Sequence, residues 1–493
     1  MQYDSSIEDS EGVFRRRQKP PEYADPSFVG MSASRKPATG EQDPAKTVLP
    51  RNQTTNSEPL NQRRHKITFI SLLVFTVMLY FRPWELVSGL ASFTSMAFYS
   101  GIITLLIYLI TQISTDGNLT ARPREIVLVG LLMLAALLSM PMAIDRPEAW
   151  KTFTDIFIKA VLIFIVIVNV VTTERRLRAL LLLSLAVSVY LSVNAIYDYQ
   201  HGIFGLGKVE NNDLRIAGSI RGLFENSNDL AMHLCTMLPI SIAMALEKPG
   251  LFRRICYLAV SGLMVAGIVV TFSRGGFIAL VVTVIVLGRK LGRRNTMLTA
   301  AGVFIGLVLF LALLPGGYSG RVATIFNSAA DLTGSSTQRT EILKRSIAVA
   351  LRYPLFGVGM GNFHYKSFHE LQTHNAYTQV ASEMGLAAFV IYVMFLVHPL
   401  RRLREIERTL FDKQNTSNVY YLAIALQVSL IAYMVASFFG AVAYQWYVYY
   451  LVGYAVVLRR VYYAETPLPG SYPLNAMGEE NVRQLLPNYS ERS

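Results

Sequence analysis

The sequence predicts an all-α polytopic membrane protein with about twelve transmembrane helices, and three observations carry that prediction. First, 52% of the 493 residues are hydrophobic and the mean hydropathy is +0.36, which is too apolar for an ordinary soluble chain of this length. Second, the apolar residues form long blocks such as ISLLVFTVMLYF, IVLVGLLMLAALLSM and FIALVVTVIVLG. Most lie inside stretches long enough to cross about 30 Å of hydrocarbon as helices. Third, the blocks are continuous and do not alternate. Of the two structures that satisfy backbone groups in lipid, this pattern selects helices and argues against a barrel.

Residues 1–65 are polar, rich in Pro, Ser, Asn and Gln, and carry the basic run Arg15, Arg16, Arg17. Such a segment cannot bury enough surface to fold alone and predicts a disordered tail. Its start lacks the pattern of a cleaved signal, so the first span is expected to act as an uncleaved signal anchor. Spans are then expected near 67–81, 89–112, 125–144, 152–171, 179–197, 228–246, 255–271, 277–288, 297–315, 376–397, 419–437 and 441–458.

Formal net charge is +13, and its distribution gives the topology. With the N-terminal tail inside, the short cytoplasmic loops carry seventeen Lys and Arg: Arg122, Arg124; Arg175, Arg176, Arg178; Lys248, Arg253, Arg254; Arg289, Lys290, Arg293, Arg294; and Arg401, Arg402, Arg404, Arg408, Lys413. The short loops on the other side carry four: Arg82, Arg146, Lys151 and Arg274. The positive-inside rule therefore sets both termini in the cytoplasm. Membrane topology accounts for the basic balance, and no nucleic-acid partner is implied. Cys235 and Cys256 both fall in apolar helices, offer neither a disulfide framework nor metal-ligand spacing, and read as packing residues.

Two loops, about 198–226 and 316–374, are long and face away from the cytoplasm in this topology. They break the charge rule, with Lys208, Arg215 and Arg221 in the first and Arg321, Arg339, Lys344, Arg345, Arg352 and Lys366 in the second. Long loops translocate largely regardless of charge; the alternative is an anion-binding site. The outward segments read in order Arg215-Ile-Ala-Gly218, then GLFENSNDLA from Gly222, then TFSRGG from Thr271, then SSTQR ending at Arg339, and His374-Asn375. Guanidinium groups grip phosphate oxygens in pairs and never deprotonate, so several converging arginines can hold a diphosphate without a metal. The sequence offers no acidic cluster for one.

The stretch RIAGSIRGLFENSNDLAMHL resembles the Arg/Gly and Asn-Pro-Asn-like signature of O-antigen ligases and polymerases, with Ser227 where the pattern prefers Pro. TFSRGG resembles the opening of their shared domain, RTEIL from Arg339 their arginine-x3-leucine motif, and PLFGVGMGNF their glycine-rich loop. HNAYTQVASEMGLAA resembles their HN-x9-Gly-x-x-Gly motif, with Ala388 at the last position. The resemblance covers about residues 210–400, while the first five spans match in hydropathy alone.

This resemblance implies a bacterial inner-membrane enzyme with a C-type glycosyltransferase-like fold, a polyprenyl-diphosphate-linked glycan donor, no cofactor and no required metal. It divides the chain into a cytoplasmic tail (1–65), N-terminal transmembrane helices (66–204), a catalytic membrane domain (205–458) whose long extracytoplasmic loop 316–374 carries short helices, and a C-terminal tail (459–493). By motif, Arg215 and Arg339 would clamp the diphosphate, and His374, beside Asn375, would act as general base on the acceptor hydroxyl. A lipid diphosphate leaves as a stabilised anion, so electrostatic neutralisation can replace a general acid. Inversion at the anomeric carbon is the implied outcome.

Each candidate also has a structural reading. Arg274 is either a snorkelling residue at a span end or a phosphate contact, and motif membership favours contact. Arg221 is a second phosphate contact or a register alternative to Arg215, and Arg321 stands similarly near the start of its loop. Glu383, two turns into the tenth span, would orient an arginine or assist the base and ranks second to His374. Asp155 and Lys159, four apart, form a neutralising pair or line a donor cavity. Gly357-Val-Gly-Met-Gly361 follows no predicted strand and reads as a turn, not a nucleotide loop. Segment 338–352 has a basic face and apolar helical spacing, as an interfacial helix that meets lipid phosphates and covers the site.

Polymerase and ligase share these motifs and differ in acceptor, a lipid-linked glycan or lipid A-core; a protein acceptor is a third possibility. The competing class is a lipid-linked glycan flippase or transporter, which predicts paired halves and broken helices. No repeat is visible, and the unusual residues gather on one face, which favours an enzyme. A scaffolding protein would leave the basic outer loops unexplained, although the tail could recruit pathway partners.

Overall fold

The computed structural model describes residues 65–86, 95–116, 120–203, 216, 224, 226–247, 250–312, 335–367, 371–415 and 417–466, and every regular element among them is helical. The main helices are α1 Lys66–Phe81, α2 Met96–Asp116, α3 Arg124–Ser139, α4 Arg146–Val170, α5 Glu174–Gln200, α6 Ser227–Leu246, α7 Leu251–Val270, α8 Arg274–Gly292, α9 Thr296–Ala312, α10 Ser335–Arg352, α11 Ala376–Met384, α12 Leu386–Asp412, α13 Asn418–Ala436 and α14 Trp446–Glu465. Among the described residues nine helices are long and apolar enough to cross a membrane: α2 to α8, α12 and α13. α1 and α9 are shorter apolar helices, and α14 carries Arg459, Arg460 and six tyrosines on 20 residues. The chain is an all-α, multi-pass, membrane-embedded protein. The expected tail 1–65 lies outside the described residues apart from His65, as does most of the outward loop 198–226.

Helices α6 and α13 are the most enclosed and pack against one another at the centre, with α7 and α8 against α6, and α8, α12 and α14 against α13. Between helices in lipid, close van der Waals packing replaces the hydrophobic effect, so small residues mark the contacts. A Cβ on Gly267 of α7 would stand 2.9 Å from both Leu234 Cδ1 and Ser192 Oγ, and one on Gly276 of α8 would stand 2.5 Å from the Ala231 Cβ. Buried hydroxyls add cross-helix bonds, Tyr450 to Thr76 at 3.0 Å and Tyr454 to Ser184 at 2.8 Å.

Ion pairs fasten the end of the bundle away from the site. Arg459 of α14 grips Glu125 of α3 through two parallel bonds of 2.7 and 2.8 Å, and His398 of α12 meets the same carboxylate at 2.9 Å. Lys290 of α8, Glu407 of α12 and Gln427 of α13 form a second knot, with Gln427 Nε2 donating to Glu407 at 3.0 Å. Because Arg459 and Arg460 are helical and bonded, Arg460 to the Val168 carbonyl, α14 runs on to Glu465 past the expected tail boundary at 459.

The span expected over 376–397 is two helices. The chain breaks at Gly385, whose φ is +91°, and a Cβ there would lie 2.4 Å from the Leu355 carbonyl oxygen. The glycine-rich loop supplies the bonds that the break leaves open: Val358 N donates to Ser382 O at 2.9 Å, Gly359 N to Glu383 O at 3.0 Å, and Leu386 N to Pro354 O at 2.8 Å. The apolar run crosses the break unchanged, so hydropathy joins what the backbone separates.

Candidate functional site

The TFSRGG segment is the turn between α7 and α8. Phe272 takes a left-handed φ of +50°, and Ser273 caps α8 by accepting the Gly276 amide at 3.0 Å while donating to Asn228 Oδ1 at 2.7 Å. Asn228 belongs to the first turn of α6, itself capped by Asn226. The two glycines let this turn approach its neighbours, since a Cβ on Gly275 would strike Phe439 at 2.6 Å. Arg274 is thereby fixed at the first position of α8 and is only 9% exposed. A cation at a helix N-terminus opposes the macrodipole, which favours anions there.

A second N-terminus meets it. Asn375 caps α11, its Oδ1 accepting the amides of Tyr377 at 2.9 Å and Thr378 at 3.0 Å. His374 stands immediately before this cap. Helix α10 packs on α11 and brings Arg339 and Leu343, one turn apart, to the same place. Together Arg274, Ile278, Arg339, Thr340, Leu343, Ser346, His374, Asn375, Thr378, Phe438 and Phe439 line one cleft of about 240 Å³.

Two guanidinium groups and an imidazole therefore share a cleft with two helix N-termini, and none of the described lining residues is acidic. That is the electrostatics of an anion site next to a group able to take up a proton. The volume is below the roughly 300–1,000 Å³ of pockets that enclose a whole small ligand, which suits the reacting end of a longer substrate. One wall is apolar, formed by Ile278, Leu343 and Phe438. Leu343 and Phe438 are also 38% and 54% exposed on the outer surface, so this wall continues onto it.

Four candidates from the sequence, Arg274, Arg339, His374 and Asn375, thus meet in one place. Arg215, Arg221 and Arg321 lie outside the described residues. Glu383 does not line the cleft. It is fully buried in the last turn of α11, ahead of the membrane-spanning α12, and its Oε2 accepts the Gly361 amide at 2.9 Å and the Tyr444 hydroxyl at 2.8 Å. Burial pushes its carboxyl up to about 7. Asp155 and Lys159 pair at 3.6 Å on a π-helical turn of α4, partly exposed and also away from the cleft. Segment 338–352 lies within α10, with Leu343, Ile347 and Leu351 exposed on one stripe and Ile342, Ser346, Val349 and Ala350 turned inward. Phe438 and Phe439 of the cleft carry no sequence signal beyond closing an apolar run.

No curated protein matches the chain. Residues 259–393 match the family model described as O-Antigen ligase. That stretch begins within α7 and ends within α12, and it includes every described residue that lines the cleft except Phe438 and Phe439. The chain is thus a multi-pass membrane protein whose residues 259–393 are similar to the O-antigen ligase family domain.

Proposed function

We propose that the chain is a glycosyltransferase that moves a polyprenyl-diphosphate-linked glycan onto an acceptor hydroxyl at the extracytoplasmic face of a bacterial inner membrane, with both termini cytoplasmic. The observation that carries this reading is the meeting of Arg274, Arg339 and His374 in one cleft. His374 takes the acceptor proton as the acceptor oxygen attacks C1 of the donor sugar. The bond from C1 to the diphosphate oxygen breaks on the opposite side, which inverts the anomeric centre. The departing diphosphate is neutralised by Arg274 and Arg339, whose forks match its oxygens and whose charge is permanent, so no metal is needed for that task. Arg215 belongs to the same clamp by motif, with Arg221 and Arg321 as further contacts.

The apolar wall of Ile278, Leu343 and Phe438, continuous with the outer surface, supports a donor whose tail stays in lipid. The acceptor is another lipid-linked glycan, lipid A-core or a protein hydroxyl.

The test is glycan transfer by the purified protein in detergent, from a polyprenyl-diphosphate oligosaccharide, with EDTA present. Transfer by wild type, and losses of about 10²–10⁴-fold in folded His374→Ala and Arg339→Ala, are expected. A ladder of products marks a polymerase and a single addition a ligase. Undiminished transfer by His374→Ala removes it as the base, and no transfer to any acceptor favours a flippase.

A further inference from the structure

At the same end of the bundle, outside the cleft, the connection from α3 to α4 and the turn Phe363–Lys366 border a second, open pocket of about 560 Å³ lined by Ala143, Ile144, Asp145, Arg146, Pro147 and Tyr365. These two segments are far apart in sequence and are locked together by backbone. Asp145 N donates to Asn362 Oδ1 at 2.6 Å and Ile144 N to Val358 O at 3.2 Å. Gly359 allows the approach, since a Cβ there would lie 2.3 Å from that of Ala143.

Its chemistry differs from the cleft's, with one carboxylate, Asp145, beside Arg146. Tyr365 is 43% exposed, yet its ring is fixed: the hydroxyl donates to Asp145 Oδ2 at 3.1 Å, and the ring lies against that of His364, centroids 4.1 Å apart. Glu148 stands behind, its Oε2 3.6 Å from His364 Nε2. The Glu148 carboxylate, and after it Asp145, hold the Tyr365 phenol up at about 12, so its proton stays on the oxygen. A carboxylate beside an open cavity accepts hydroxyl protons in pairs. A tyrosine ring held still presents an apolar face at little cost in side-chain entropy, and Arg146 adds donors. An immobilised aromatic face with carboxylates at its edge matches a carbohydrate ring, which shows C–H groups on one side and hydroxyls around its rim. A contact links the segment that carries the pocket to the one that carries the cleft: Gln372, two residues before His374, reaches to 3.5 Å from His364 Nδ1, next to Tyr365.

We propose that this pocket is a carbohydrate subsite that holds uncharged sugar residues remote from the bond being transferred, with Tyr365 as the stacking platform and Asp145 as the hydroxyl acceptor. It rests on the glycosyltransferase reading. The sugars belong to the donor glycan or to the acceptor, and the two arms of the test separate these sources. KM for donor and for acceptor is measured separately on full-length Tyr365→Ala, Tyr365→Phe and Asp145→Asn. The last keeps the N-cap of α4, since Asn caps as well as Asp. Free, lipid-less oligosaccharide is titrated into the same proteins by calorimetry.

Tyr365→Ala is expected to raise one KM by about tenfold with kcat within about twofold, and Tyr365→Phe by less. A rise for donor assigns the pocket to the donor glycan and a rise for acceptor to the acceptor. Absence of transfer by wild type would count against the enzyme reading, whereas free oligosaccharide that binds wild type and is weakened by Tyr365→Ala would still support the subsite. The proposal is overturned if folded Tyr365→Ala and Asp145→Asn turn over with both KM values unchanged, or if only kcat falls, or if the free oligosaccharide binds all four proteins equally.

Discussion

The Tyr444 hydroxyl donates to Glu383 Oε2 at 2.8 Å, the same oxygen that accepts the Gly361 amide at 2.9 Å. One carboxylate thus ties the end of α11, the helix whose start carries Asn375 and His374, to the glycine-rich loop and to the turn ahead of α14. It does not line the cleft, and its bonds join α11 to these two segments.

Glu383 should therefore set a pH dependence of stability. Its carboxyl is raised by burial from 4.5 to about 7. Between those values the folded chain binds more protons than the unfolded one, so the protonated carboxyl's contribution is full below about pH 4.5 and is lost as pH rises through about 7. Glu383→Gln keeps an uncharged side chain and should abolish that slope, leaving the variant more stable than wild type near pH 8 by on the order of 3 kcal/mol. Thermal unfolding in detergent at pH 5 and pH 8 checks it. Parallel curves for the two proteins would remove Glu383 as the titrating group.

The glycines of the break allow a sharper structural test. Gly357 has φ of +67° and a Cβ there would stand 2.3 Å from the Glu383 carbonyl carbon, and Gly385 meets the Leu355 carbonyl in the same way. Alanine at either position adds a strained φ to a backbone clash and should cost more than about 3 kcal/mol. Gly130, in the middle of α3, has nothing within 4 Å of its Cβ position. Gly130→Ala should be neutral or stabilising by up to about 1 kcal/mol. Melting temperatures of the three variants, measured together, test the contrast.

Much of this architecture was legible from hydropathy alone, because each apolar block long enough to span lipid becomes a helix whatever surrounds it. The cleft was legible in part. TFSRGG, RTEIL and the HN-x9-Gly segment each name a residue that reaches it, and the fold explains their spacings: Arg339 and Leu343 are one turn apart on α10, and Gly385 ends α11. What escaped sequence reading depends on contacts between distant segments. Nothing local distinguishes Glu125 as the partner of Arg459, or Asp145 as the partner of Tyr365. The break inside 376–397 was hidden because Leu386 continues the apolar run, while the carbonyls of Pro354 and Leu355 that crowd Gly385 come from a distant segment.

The Glu125–Arg459 fork should matter for stability and not for chemistry, since it lies at the end of the bundle away from His374. Glu125 is fully buried, so Arg459→Ala leaves its carboxylate with His398 as the remaining side-chain partner and should cost up to about 3–5 kcal/mol. Arg459→Lys keeps the charge but loses the fork and should fall between. Glycan transfer per folded molecule should be unchanged for Arg459→Lys. A selective loss of transfer with normal melting would assign this pair a function that its position does not suggest.

The arrangement of Arg274 and Arg339 leads to the most direct test of the cleft. If both neutralise one departing diphosphate, they act on the same charge, and their effects on kcat/KM cannot be independent. Each single change to Lys keeps the charge and removes the planar fork, so a loss of about 10–100-fold is expected for either. The double variant should lose less than the product of the two, because once one fork is gone the diphosphate is already misplaced and the second has less to contribute. A double-mutant cycle on kcat/KM, with circular dichroism to confirm that all four proteins fold, measures the coupling. Coupling of about 1 kcal/mol or more places both guanidinium groups on one anion. Strictly multiplicative losses would mean that the two arginines serve different parts of the substrate, and Arg274 would then revert to an anchor at the end of α8.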